Sequence, residues 1–219
     1  MALDAALLHC AAGPALRFYR WDPPAISLGH FQRKPEDIAA LRATGLPLVR
    51  RMTGGGAIVH WHELTYSLLL PLQHPLVAGR DLAASYAAIH APFQRVLTQL
   101  GLHALQRGAL NHANASPLLC FDRATDLDLV CNGKKLMGSA QRRTLTHVLQ
   151  HGSLILRTNV HQPDTAALEE LTSQSVDVQL LWATCASAFA VELGPLEPAD
   201  FTPEELQHAA AVQPLLRVN

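Results

Sequence analysis

Arg50-Arg51-Met52-Thr53-Gly54-Gly55-Gly56-Ala57-Ile58-Val59-His60 reads as a strand, three glycines and a second strand. Glycine has no Cβ, so the backbone there can turn sharply and lie close to a ligand. Successive N–H groups in such a loop can bind an anion or a carbonyl oxygen, and Arg50 and Arg51 add fixed positive charge. The alternative is a plain hairpin turn with solvated arginines. The stretch by itself leaves both readings open.

The surrounding composition is that of an ordinary globular chain. It has 219 residues, 49% of them hydrophobic, with a formal net charge of −1. That length suits one domain with a sizeable core. Near-neutrality implies neither a basic nucleic-acid surface nor an acidic tail. No apolar run approaches membrane-spanning length. Asp4 interrupts the apolar N-terminal run, and no basic segment precedes it, so a secretory signal is not expected. Cys10, Cys120, Cys131 and Cys185 are scattered without a C-x-x-C pair, which argues against zinc or a disulfide framework and for a reducing, cytoplasmic setting. His60 and His62 alternate along a predicted strand and so would share a face. The run from His62 to Tyr66 lacks the second histidine of a zincin motif, and no metal site is expected.

Taken in order, residues 1–12 predict a helix, then 15–21 and 25–31 two strands split by Asp22-Pro23-Pro24. Pro35 with Glu36 and Asp37 starts a helix that Gly45 ends. Strands follow at 46–53, 57–61 and 64–70. Asp81 caps the longest helix, to Leu100, whose face of Leu82, Ile89, Phe93, Val96, Leu97 and Leu100 is read as core. Residues 108–117 form a polar loop. Strands at 127–131 and 134–142 are joined by Asn132-Gly133, a type I′ hairpin signal, and 148–156 is another strand. Helices are expected near 165–173, 176–192 and 203–216, the last with a Thr202/Glu205 capping box. The prediction is an α+β domain, a mixed sheet flanked by helices, with residues 164–219 a helical part packed on it.

A second stretch, Asn132-Gly133-Lys134-Lys135-Leu136-Met137-Gly138-Ser139-Ala140-Gln141-Arg142-Arg143, is followed by Leu149-Gln150-His151-Gly152-Ser153. With the first stretch and Glu63-Leu64-Thr65-Tyr66-Ser67, it resembles the catalytic domain of the biotin and lipoate protein ligases and lipoyl-pathway octanoyltransferases. The resemblance runs from Met1-Ala2-Leu3-Asp4 to about Leu156. It implies a single class II synthetase/biotin-ligase-like domain over residues 1–219. Relatives carry residues before this point, so an N-terminal strand is expected to be missing or the start assigned late.

The resemblance implies that Lys135 is the family's invariant lysine, and strand alternation lets only one of Lys134 and Lys135 face inward. A buried lysine polarises an acyl carbonyl or neutralises a phosphate. Cys120, in Leu119-Cys120-Phe121-Asp122, resembles the nucleophile of the cysteine-dependent octanoyltransferase branch. A thiolate takes an acyl group from a thioester at little thermodynamic cost and passes it to an amine. The plain alternative for Cys120 is a small buried hydrophobe. Arg50, Arg51, Gly54, Gly55, Gly56 and His60 resemble the segment framing the acyl pocket. Gly138, Ser139, Ala140, His151 and Gly152 resemble its other wall. Asp122 would orient Lys135 or the incoming amine, or be a turn residue. Gly56 follows the ATP-dependent ligase pattern, whereas the Glu63–Ser67 and Leu149–His151 runs lean to the transferase.

Three functions stay open. The first is octanoyl transfer from acyl carrier protein to the lysine of a lipoyl-domain protein (glycine cleavage H protein or a dehydrogenase E2 subunit), without cofactor. The second is a lipoate–protein ligase using ATP and Mg. The third is a non-catalytic acyl- or carrier-binding protein. Neither nucleic acid nor membrane is an expected partner.

Overall fold

The computed structural model describes residues 1–108 and 125–218. Two sheets organise them. The larger has six antiparallel strands in the order β1-β5-β9-β8-β7-β6. These are β1 (Ala15–Tyr19), β5 (Glu63–Pro71), β9 (His147–Ile155), β8 (Lys134–Arg143), β7 (Leu129–Cys131) and β6 (Leu105–Gln106). The smaller sheet runs β3 (Leu48–Arg50), β2 (Ala25–Leu28), β4 (Ile58–His60).

β5 is buried from residue 63 to residue 70 because both of its faces are covered. Leu64, Tyr66, Leu68 and Leu70 point to one side. There they meet Ile89, Phe93, Val96 and Leu97 of α3 (Leu82–Gln99), with Leu181, Cys185 and Phe189 of α5 (Val178–Leu193). Leu69 points to the other side, with Leu149 of β9, against Leu7 of α1 (Ala2–Cys10) and Met52. Burial of each such aliphatic side chain stabilises by roughly 1.5–3 kcal/mol. The small sheet has its own core of Ile26, Leu28, Leu41, Leu48, Ala57 and Val59, closed by Ile38 of α2 (Pro35–Arg42).

Local signals explain most boundaries. Asp81 accepts a hydrogen bond from Ala84 N at the start of α3. Pro35 opens α2 at its first turn, and Gly45 beyond it has φ +76°. Asn132 and Gly133 have φ +51° and +77°, as the type I′ turn requires. The Thr202/Glu205 capping box is present at the start of α6 (Pro203–Leu216).

Several expectations are corrected. The three glycines do not close a hairpin. β3 pairs parallel with β2 and β4 pairs antiparallel with β2 from its other side, so the loop crosses from one flank of β2 to the other. Leu82 and Leu100 are exposed because they stand at the two ends of α3, beyond the reach of the sheet. His60 and His62 do not share a face, because His62 sits in the turn between β4 and β5 with φ +58°. Helix α6 packs on α1, and α5 on α3; the short α4 (Leu168–Thr172) follows β9. Beyond α6, Arg217 bridges to Val49, and Val218 N donates to Leu48 O at 3.2 Å, so these two residues lie against the free side of β3. Among the described residues no helix is long and apolar enough to cross a membrane.

Candidate active site

The face of the large sheet that carries α1 is interrupted by two polar rows. Residues directly paired across strands share a face. The register therefore aligns Tyr19, Thr65, Ser153 and Gly138 in one row, and Arg17, Ser67, His151 and Ala140 in the next. A row of polar groups under a helix is costly unless each finds a partner.

Most do. Glu63 Oε1 accepts from Thr65 Oγ1 at 2.6 Å and Ser153 Oγ at 3.0 Å, and lies 2.5 Å from His60 Nδ1. Trp21 stacks on the His60 ring with centroids 4.1 Å apart, and its Nε1 donates to Thr65 Oγ1. His60 Nε2 is 2.7 Å from Ser27 Oγ. Glu63 Oε2 and Ser67 Oγ are buried with no partner among the described residues.

Lys135 reaches this face because of a β-bulge. Val130 pairs with Lys135 but Leu129 pairs with Met137, so Leu136 is the extra residue. In a regular strand Lys135 would share the side of Met137, under α3; the bulge puts it on the side of Gly138 instead. A Cβ placed on Gly138 would lie 2.7 Å from Lys135 Cε and 3.1 Å from Nζ. Lys135 is 2% exposed and its Nζ is 2.9 Å from Asp128 Oδ1, while Lys134 is exposed. Sequence reasoning missed Asp128, although a carboxylate two residues into an otherwise apolar run was a visible signal.

The glycine loop is held from within. Arg51 is 1% exposed; its Nη2 donates to Gly54 O at 2.6 Å and Gly56 O at 2.7 Å, and Nη1 to Ser27 O at 2.9 Å. Arg50 Nη1 donates to Gly29 O and Gln32 O. Arg51 thus braces the glycine loop through its carbonyls, while Arg50 braces the turn after β2. In a planar trans peptide the N–H opposes the C=O, so the N–H groups of Gly55 and Ala57 point away from Arg51. Gly55 has φ +94° and its carbonyl occupies the space where Gly29 would carry a Cβ, 2.0 Å away. A Cβ on Gly54 would meet nothing within 4 Å.

His151 joins the loop to α1. Its Nε2 is 2.6 Å from Thr53 Oγ1, which also accepts from Arg51 Nε at 3.2 Å. Its Nδ1 is 3.2 Å from Asp4 Oδ2. Asp4 Oδ1 accepts from Arg17 Nη1 at 2.5 Å, and Oδ2 from Tyr19 OH at 3.2 Å. Burial works against ionisation of Asp4, but the hydrogen bond to His151, the N-terminal amine and, to a smaller extent, the charge of Arg17 outweigh it and hold the carboxyl below the usual range. Burial lowers the His151 pKa, with Asp4 opposing.

Ser139 and Gly152 lie on the opposite face, under α3. Ser139 Oγ is 2.8 Å from Tyr66 OH and 2.9 Å from His90 Nε2, and a Cβ on Gly152 would lie 2.3 Å from Ser139 Oγ. Gln150 Nε2 donates to Tyr66 OH at 2.6 Å. These residues therefore back the site strands rather than line the Lys135 face. Cys131 and Cys185 are buried, and burial pushes the Cys185 thiol up to about 12, consistent with packing roles. Cys120 and Asp122 lie outside the described residues. Among the described residues no three metal-ligating side chains converge.

The large sheet thus carries a buried lysine at a bulge, and beside β2 lies a glycine loop braced through its carbonyls. The chain belongs to the lipoyl protein ligase A/B catalytic domain family, whose model matches residues 1–187. It is 39% identical over 192 residues to the octanoyltransferase LipM of Moorella thermoacetica, spanning 83% of this chain and 68% of that protein. It is 34% identical over 242 residues to the octanoyltransferase LipM of Kyrpidia tusciae, spanning 95% and 88%. Its fold matches that of the T. acidophilum protein Ta0514 with bound lipoic acid, with a TM-score of 0.79, 23% identity and coverage of 96% and 87% of the two chains.

Proposed function

We propose that this chain is an octanoyltransferase of protein lipoylation, moving an octanoyl group from the thioester of acyl carrier protein to the lysine of a lipoyl-domain protein. The observation that carries the reading is its similarity to octanoyltransferases over most of both chains. The buried Lys135 beside Gly138 gives that similarity a chemical centre.

In this reading Cys120 is the acyl carrier. Its thiolate attacks the octanoyl carbonyl, the carbon–sulfur bond to the donor breaks, and the donor thiol leaves with a proton. The acceptor lysine, as free amine, then attacks the acyl-enzyme. A carbon–nitrogen bond forms, the carbon–sulfur bond to Cys120 breaks, and the amine proton passes to the thiolate. One thioester replaces another in the first step, so no ATP is needed. Lys135 and the outward N–H groups of the glycine loop hold the oxyanion in both steps, and Asp128 fixes the Lys135 ammonium.

The test is the intact mass of the protein after incubation with octanoyl-acyl carrier protein in the absence of ATP. The expected result is one octanoyl adduct, lost with hydroxylamine and absent in Cys120→Ser. Transfer that requires ATP and survives Cys120→Ser would replace this reading with the lipoate–protein ligase. Binding of the carrier with no adduct and no transfer would favour a non-catalytic protein.

A further inference from the structure

Asp4, His151 and Thr53 have the spacing of a carboxylate–imidazole–hydroxyl triad, at 3.2 and 2.6 Å. Thr53 is 1% exposed, so its hydroxyl is not available to attack a substrate. What the three groups do share is a position between α1, β9 and the first residue of the glycine loop.

The hydrogen-bond directions follow from the neighbours. Asp4 is a carboxylate receiving Arg17 on Oδ1 and Tyr19 on Oδ2, so it can only accept from His151 Nδ1–H. A neutral imidazole has one N–H, and Nε2 is then an acceptor. Thr53 must donate its proton to Nε2 while its lone pair takes Arg51 Nε–H. Arg51 in turn holds the carbonyls of Gly54 and Gly56. One directional chain thus runs from α1 to the loop peptides.

We infer that Asp4 and Thr53 are positioning residues, and that through the His151 tautomer they fix the direction in which the glycine-loop N–H groups point. The inference rests on the proposed octanoyl transfer for its functional consequence but not for its geometry. Because Arg17 keeps an acceptor at the Oδ1 position, Asp4→Asn places its amide NH₂ toward His151. Nδ1 then becomes an acceptor and the proton moves to Nε2.

Nitrogen-15 NMR of histidine-labelled protein reads the tautomer directly. The wild type should show His151 as the Nδ1–H form and Asp4→Asn as the Nε2–H form. In octanoyl transfer, Asp4→Asn and Thr53→Val should lower kcat about 10- to 100-fold with KM for the acyl donor within about threefold, and Thr53→Ser should recover most of the rate. An Nε2–H tautomer in the wild type overturns the inference, as does a Thr53→Val enzyme with wild-type kcat, even if Asp4→Asn fails to fold. A wild-type protein that transfers no octanoyl group would sink the functional reading instead; the tautomer still decides the chain of hydrogen bonds.

Discussion

Replacing Gly138 by alanine separates the site from the fold. The added Cβ would stand 2.7 Å from Lys135 Cε and 3.1 Å from Nζ, against an ordinary carbon–carbon contact of about 3.5–4.0 Å. The methyl cannot move with the strand, so the lysine tip must retreat by about 1 Å. A lysine tip is flexible and the third neighbour, Asp128 Oδ1, is already at van der Waals distance at 3.7 Å. The stability cost is therefore confined to a weakened charged hydrogen bond, about 1–2 kcal/mol. The catalytic cost is larger, because a displacement of about 1 Å costs on the order of 100-fold in rate, or about 2.7 kcal/mol of barrier. Steady-state octanoyl transfer and a thermal melt measure the two separately. Gly152→Ala is the contrast. Its Cβ would meet Gly138 O at 2.6 Å as well as Ser139 Oγ and Tyr66, and a backbone atom cannot step aside, so it should lose stability first. Wild-type kcat/KM in Gly138→Ala would refute the argument that the lysine occupies this space in the working enzyme.

Lys135→Ala should abolish transfer with the fold intact, while exposed Lys134→Ala stays within about twofold of wild type in the same assay; equal losses would assign the wrong strand face. Gly55→Ala should cost about 1–2 kcal/mol in denaturant unfolding because of its φ of +94°, whereas Gly54→Val should melt like the wild type yet lose transfer, since its side chain enters open space beside the loop. A fully active Gly54→Val would exclude that space as the acyl site. Burial lowers the His90 pKa to about 3, so the unfolded chain binds that proton first. Stability is present in full above pH 6.5 and falls as the pH drops toward 3, by at most about 5 kcal/mol. Unfolding curves of wild type and His90→Gln between pH 7 and 4 should converge at the acid end, and parallel curves would contradict it.

Element identity was legible in the sequence where the cause was local. Asp81 as a cap, Asn132-Gly133 as a turn and the Thr202/Glu205 box all act within four residues of themselves. The glycine run reads as a loop but its path does not, because its placement depends on β2, which pairs with both of its flanks. For the site, alternation lets only one of Lys134 and Lys135 face inward and the family resemblance picks Lys135, yet the face it reaches depends on a bulge that no residue type announces. Arg50 and Arg51 look like ligand-binding charges in sequence; only the fold brings loop carbonyls within their reach. The roles of Asp4 and Thr53 are hidden for the same reason, since their shared partner His151 is distant along the chain. Ser139 and Gly152 belong to the conspicuous motif but serve the α3 side.

The bridge from Arg217 and Val218 to β3 also has a bearing on self-association. β3 is an outer strand, and an unpaired outer strand offers its free N–H and C=O groups to any passing chain. The two residues after α6 occupy part of that row with the protein's own backbone. They do so on the strand that delivers Arg50 and Arg51 to the glycine loop. Clipping the chain behind α6 would therefore leave Lys135 and the glycine loop in place but turn this strand into a template for pairing between molecules. The protein would be expected to lose solubility before it loses its fold.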